Sequence, residues 1–264
     1  RRNESDDDFL GRVTHLRLQN KDISNLGSAE VCNACPTLKV LYLYDNHVES
    51  LKGLEMLRHM EQLYVDNNLL TTVQDVLPCR RLTKLHLSGN SIGTISGLET
   101  ARCLEELHVA KQRLPEGERF TIDRASIDGI KDSLVVLDAS GNGMSGEEIE
   151  TLLDLYRLET LNLANNDIQE ISQVVDVVTG LEMLTDCDLR GNAVCRVAKY
   201  YERAVTRCGD CLRTLDGKPV HAQHRSMLQN LDRHKRAEER KKASRRRIAD
   251  RAPMSESIIP TPSD

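Results

Sequence analysis

The chain has 264 residues, 39% of them hydrophobic and 29% charged, with a net charge of −5 and an isoelectric point of about 6.0. This acidic balance speaks against wholesale nucleic-acid binding, no apolar run approaches the ~20 residues of a membrane span, and no secretory signal is visible. Eight Cys are too few for a disulfide scaffold and read as reduced thiols of a cytosolic compartment; with no Trp and only Phe9 and Phe120, the core must be aliphatic.

Residues 1–12 read as a polar N-terminal arm or cap, with Asp6, Asp7 and Asp8 in a row. Val13, Leu16, Leu18 and Ile23 then begin a phrase that is clearest at Leu82, Leu85, Leu87, Asn90, Ile92 and Ile95. It returns from Leu38, Met60, Leu82, Leu104, Leu134, Leu158 and Leu184, with spacings of 25, 22, 22, 22, 30, 24 and 26. A repeat of this length and pattern is the signature of leucine-rich repeats, in which each unit is a short strand, a turn and a return segment. The predicted fold class is α/β: a leucine-rich-repeat solenoid of eight coils over residues 13–198. A curved parallel β-sheet would line the concave face, and helices or 3-10 turns the convex face.

The polar position of the phrase is Asn46, Asn68, Asn90, Asn142, Asn166 and Asn192, with Lys21 and Gln112 as exceptions. An inward Asn offers a carbonyl acceptor and amide donors. It is expected to bond backbone groups of its own turn and of the next coil, which the strand ladder leaves unpaired. The 30-residue spacing holds an insertion, 115–133, in which Ile122, Ile127 and Ile130 suit a short helix packing back on the solenoid. Residues 199–220 read as a C-terminal cap, with Leu212 and Leu215 covering the open apolar end. From His221 the composition shifts: residues 231–251 carry ten Lys/Arg against four acidic residues. Residues 221–253 are predicted to be a basic helical extension, followed by a flexible tail at 254–264.

Three motifs invite a chemical reading. Gly141, Gly143 and Gly146 match G-x-G-x-x-G, but Ser140-Gly141-Asn142 is in register with Ser88-Gly89-Asn90, an ordinary repeat turn, so no nucleotide site is assigned. The Cys-x-x-Cys pairs Cys32/Cys35 and Cys208/Cys211 lie roughly six coils apart, on the order of 30 Å at ~4.8 Å per strand, so they cannot share one metal. Cys208, Cys211, His221 and His224 depart from finger spacing, and Leu212 and Leu215 between them already suit a cap. His59, His86 and His108 are separated by the repeat, with no Ser or Cys at a strained elbow. No catalytic residue, cofactor or metal ligand is assigned, and the protein is read as non-enzymatic.

Strand alternation turns the residues between the leucines toward the concave face. The central row reads Arg17, Tyr42, Tyr64, His86, His108, Asp138, Asn162 and Asp188. The next row includes Tyr44, Asp66, Ser88 and Arg190. Arg17, Tyr42, Tyr44, Tyr64, Asp66, His86, His108 and Asp138 form the candidate protein-binding surface, because clustered Tyr is favoured at interfaces. The second candidate is the basic arm: Lys235, Arg236, Arg240, Lys241, Lys242, Arg245, Arg246 and Arg247. It is read as a solvated helix or as an anchor for an acidic surface such as tubulin tails, with a nucleic-acid contact as the remaining alternative.

Three segments carry a family resemblance: His-Val-x-x-Gln-Arg-Leu-Pro-x-Gly-Glu at 108–118, Leu-Tyr-Leu-Tyr-Asp-Asn at 41–46, and Leu-Arg-Gly-Asn-x-Val-Cys at 189–195 with Leu-Asp-Gly-Lys at 215–218. Over residues 13–230 the chain resembles the testis leucine-rich-repeat protein family, regulatory subunits of type-1 protein phosphatase. The resemblance implies a scaffold or adaptor of the cilium, flagellar axoneme or basal body, with ciliary or microtubule-associated protein partners. It also implies the alternative of a phosphatase regulator contacting the catalytic subunit, and it implies neither membrane nor nucleic acid as a partner. Neither Phe fits the phosphatase docking motif of a basic residue, Val or Ile, any residue, then Phe or Trp, so such a contact falls to the concave face.

Overall fold

The computed structural model describes residues 5–26, 34–73 and 79–250. The repeat phrase becomes a parallel ladder of three-residue strands: β1 (His15–Arg17), β2 (Val40–Tyr42), β3 (Gln62–Tyr64), β4 (Lys84–His86), β6 (Glu106–His108), β8 (Val136–Asp138), β9 (Thr160–Asn162) and β10 (Asp186–Asp188). The middle residue of each strand from β2 onward points into the core. Leu41, Leu63, Leu85, Leu107, Leu137, Leu161 and Cys187 stand in register and are buried. Period-two alternation sends the residues on either side of that row to the concave surface.

The amides at the turns are bonded as a second ladder. Asn68 Oδ1 accepts from Val48 N at 2.9 Å, and its Nδ2 donates to Leu43 O and Val65 O, both at 3.0 Å. Asn90 repeats the pattern with Leu70 N, Val65 O and Leu87 O. The expectation of bonds to the next coil is corrected: the amide reaches back to the preceding coil, whose turn carbonyl and N–H the strand ladder leaves unpaired. Gln112 does the same with Ile92 N, Leu87 O and Val109 O, so it is no exception in function. Lys21 stands in the coil of β1, the edge of the sheet among the described residues, where no described coil offers a preceding turn to bond.

The insertion packs on the convex side. β7 (Thr121–Ile122) pairs in parallel with β5 (Thr94–Ile95), a two-stranded ribbon where the sequence indicated only a helix. Helix α2 (Arg124–Ile130) follows, capped by Asp123 and burying Ile127 and Ile130. Phe120, one of the two Phe of the chain, is wholly buried beside them. At the N-terminus, α1 (Asp6–Leu10) supplies one helical turn whose Leu10 packs on the core.

The G-x-G-x-x-G segment is a repeat turn. Gly141 and Gly143 have φ of 71° and 67°, the Gly141 N–H continues the ladder to Ala164 O, and Ser145 with Glu148 forms a capping box for the five-residue helix α3 (Gly146–Glu150). Further coils return through 3-10 turns at Leu54–Met56, Thr151–Asp154 and Ala193–Arg196 and through helix α4 (Ile171–Gly180). At the C-terminal end, helix α5 (Tyr200–Arg207) leads to a ninth parallel strand, β11 (Thr214–Leu215), closed by antiparallel β12 (Lys218–Pro219). Leu212 and Leu215 are buried under this hairpin. The 29-residue helix α6 (Ala222–Asp250) docks by its first turns through Leu228 and buried Arg225, which donates to Gly209 O.

Candidate protein-binding site: a ring stack on the concave face

The sheet register places Arg17, Tyr42, Tyr64, His86, His108, Asp138, Asn162 and Asp188 in one row. Strands about 4.8 Å apart hold facing side chains at ring-stacking distance, so the first five become one continuous stack. Tyr42 and Tyr64 have ring centroids 4.8 Å apart at 11°, Tyr64 and His86 4.5 Å at 39°, and His86 and His108 4.1 Å at 15°. The Arg17 guanidinium caps the end, 5.7 Å from the Tyr42 centroid. Reading His86 and His108 as separated by the repeat was therefore wrong: 22 residues apart in sequence is one strand apart in space. His59 stands elsewhere, beside Arg81.

Because the ring faces are taken up by one another, the stack presents edges. The Tyr64 hydroxyl donates to Gln62 Oε1 at 3.0 Å, and burial raises its pKa above the usual phenol range. Burial, with His108 beside it, lowers the pKa of His86 to about 4, so its imidazole is neutral at pH 7. Asp66 lies in the next row with Oδ2 3.9 Å from His86 Nδ1, too long for a hydrogen bond. Its Oδ1 accepts from Ser88 N at 2.8 Å, and its pKa is raised by burial. Tyr44, also in that row, takes no part in the stack. Asp138 follows His108 in register and accepts from Ser140 N at 3.1 Å.

A third row, two residues before the central one, escaped the sequence reading. It contains Gln62, Lys84 and Glu106; Lys84 Nζ bonds Glu106 Oε1 at 2.7 Å. The signal that finds it is the same alternation that found the central row. Among the described residues, His86, Glu106 and His108 are the one group of three or more metal-ligating side chains, with donor atoms all within 4.8 Å of one another. Cys208 is buried and Cys211 exposed, while Cys32 lies outside the described residues.

The basic arm is the solvent-exposed part of α6. Lys235, Arg236, Arg240, Lys241 and Lys242 are exposed, with Arg236 paired to Asp232 at 2.8 Å. Arg245, Arg246 and Arg247 continue the helical backbone; their side chains and residues 251–264 lie outside the described parts. Among the described residues no helix is long and apolar enough to cross a membrane.

A parallel one-strand-per-coil sheet, an amide ladder at its turns and a residue-lined concave face define a leucine-rich-repeat solenoid. A family model for leucine-rich repeats, two copies, matches residues 36–78. The fold resembles internalin C2 from Listeria monocytogenes, with a TM-score of 0.57 at 19% identity over 78% of this chain and 81% of that one. It also resembles TLR13 in its complex with the RNA ssRNA13, with a TM-score of 0.56 at 26% identity over 68% of this chain; the match spans a quarter, 25%, of the TLR13 chain. Repeats of this class imply a protein-binding scaffold.

Proposed function

We propose that this protein is a non-enzymatic adaptor of the cilium, flagellar axoneme or basal body that grips a protein partner with the stack Arg17–Tyr42–Tyr64–His86–His108. The observation that carries the binding reading is the stack itself: five side chains from five coils in unbroken contact on a rigid sheet. Tyr and Arg anchors held in place before binding lose little conformational entropy when a partner arrives. The ciliary address is supported by the sequence resemblance over residues 13–230. The role of α6 as an anchor for acidic tubulin tails is supported by its exposed Lys and Arg.

The same resemblance supports a second reading, a targeting subunit of type-1 protein phosphatase that holds the catalytic subunit on this concave face. Affinity capture from ciliary extract with wild type and with Tyr42→Ala/Tyr64→Ala tests both. A ciliary partner retained by wild type and lost by the variant upholds the adaptor, whereas retention and loss of the phosphatase catalytic subunit upholds the regulator. Capture unchanged by the variant sinks the concave-face mechanism. Microtubule co-sedimentation that persists after truncation at Val220 removes the arm as the anchor.

A further inference from the structure

We propose that His86, His108 and Glu106 form a binding site for one divalent transition-metal ion of the zinc type on the concave face. Imidazole nitrogen and carboxylate oxygen are donors that zinc takes at about 2.0–2.2 Å, and each of the three side chains offers one. The sheet fixes their placement. β4 and β6 pair in parallel with His86 opposite His108, and Glu106, two residues before His108, shares its face. The three are half-buried, so an ion there is partly desolvated yet reachable from the concave groove.

Donor atoms within 4.8 Å of one another must close to about 3.3–3.5 Å around a tetrahedral ion. The terminal torsions of His and Glu are broad and soft, so the two imidazoles need only tilt out of their 15° stack. Asp66 Oδ2, 3.9 Å from His86 Nδ1, is the carboxylate placed to take up that N–H when the other ring nitrogen faces the ion, the usual arrangement of a carboxylate behind a ligating histidine. One group opposes binding: Lys84 holds Glu106 in an ion pair and must release it. Three protein donors leave a fourth position for water or for a donor carried by a bound partner.

Zinc titration of chelator-stripped isolated protein by calorimetry, with the thiols kept reduced, tests the site without any partner and therefore separately from the adaptor reading. Wild type is expected to take up one equivalent at micromolar free zinc. His86→Ala and His108→Ala should each weaken binding by about tenfold or more, and Glu106→Gln by several-fold. Lys84→Met should tighten it, because Glu106 is freed; a thiol site elsewhere in the chain would not respond to that change. Cobalt(II) in place of zinc should show ligand-field bands without sulfur charge transfer. Failure of wild type to take up zinc overturns the proposal, as does equal uptake by wild type and His86→Ala/His108→Ala. Should the alanine variants unfold, His86→Gln and Lys84→Met decide in their place, and unchanged affinity in both overturns it.

Discussion

The two halves of the concave face use the same backbone position in opposite ways. In coils one to five the central row is Arg17, Tyr42, Tyr64, His86 and His108, and each side chain is satisfied mainly by its neighbour on the next strand. In coils six to eight the row is Asp138, Asn162 and Asp188, and each is satisfied within its own coil, just past the strand end. Asp138 Oδ1 accepts from Ser140 N at 3.1 Å, Asn162 Oδ1 from Ala164 N at 3.1 Å and Asp188 Oδ1 from Arg190 N at 3.0 Å. Arg190 closes a further ion pair on Asp188. The first arrangement leaves a continuous ribbon of ring edges for something else to meet. The second ties its polar atoms down locally. One parallel register therefore gives a half joined through its rings and a half tied down within its own coils.

Beneath both halves runs one amide ladder, and breaking it gives the largest expected effect. Asn90→Ala in the first half and Asn192→Ala in the second each leave a backbone N–H and two carbonyls without their buried partner. Each should cost about 3 kcal/mol in urea denaturation. Unequal costs would mean that the halves differ in their floor and not only in their surface. Binding should separate them next. Tyr42→Ala/Tyr64→Ala should weaken an identified partner by about 100-fold, ~3 kcal/mol, whereas Asp138→Ala/Asn162→Ala should change affinity less than about threefold. A reversed order, measured by calorimetry, would transfer the grip to the C-terminal half.

The halves should also answer to acid at different pH. His86 has a folded pKa depressed from 6.5 to about 4, so the folded state favours its neutral form. Its contribution is whole above pH 6.5 and drains as pH falls from 6.5 toward 4, when the unfolded chain binds the proton first. The loss should be on the order of 2 kcal/mol. The groups facing His86 are Tyr64, Asp66, Lys84, Glu106 and His108, and His86→Gln should flatten the slope in that window. Asp188 has its pKa lowered below 3.8, first by the hydrogen bond from Arg190. Its contribution is intact above 3.8 and is lost only as pH falls below that value. Denaturation midpoints taken from pH 7 to pH 3 should show the two phases in that order.

The repeat phrase made the strands, their inward leucines and the central row legible, because a strand's alternation and a fixed period together place every side chain on a face. What it hid depended on atoms and not on positions. Gln112 looked like a broken Asn, yet its longer side chain delivers the same amide to Leu87 O and Val109 O. The most distinctive segment of the family resemblance is accounted for by architecture. Gln112 holds the ladder, Arg113 straps back to Asn68 O and Gly89 O, and Leu114 packs against the core. The ninth strand, Thr214–Leu215, was hidden because two residues carry no period. The joining of His86 to His108 was hidden because it is a relation between coils, set by register, and the row containing Glu106 because only two of the three exposed columns had been followed.

The smallest expected effect concerns the outer row, where the halves differ again. Lys84 and Glu106 pair across β4 and β6 at 2.7 Å with about a third of each side chain exposed. The matching contact in the second half is Thr214 Oγ1 to Asp186 Oδ2 at 2.9 Å, a hydroxyl on a carboxylate. An ion pair this exposed gains little Coulomb energy in a high dielectric and spends side-chain entropy to hold its geometry. A double-mutant cycle of Lys84→Ala with Glu106→Ala should therefore return a coupling of about 0.5 kcal/mol, falling toward zero in 1 M salt as the screening length shrinks to ~3 Å. The cycle of Thr214→Val with Asp186→Ala should keep more of its coupling in salt, since only one partner is charged. If the Lys84–Glu106 coupling is large and resists salt, the outer row belongs to the rigid stack. The gripping surface is then two columns wide where the ring contacts alone make it one.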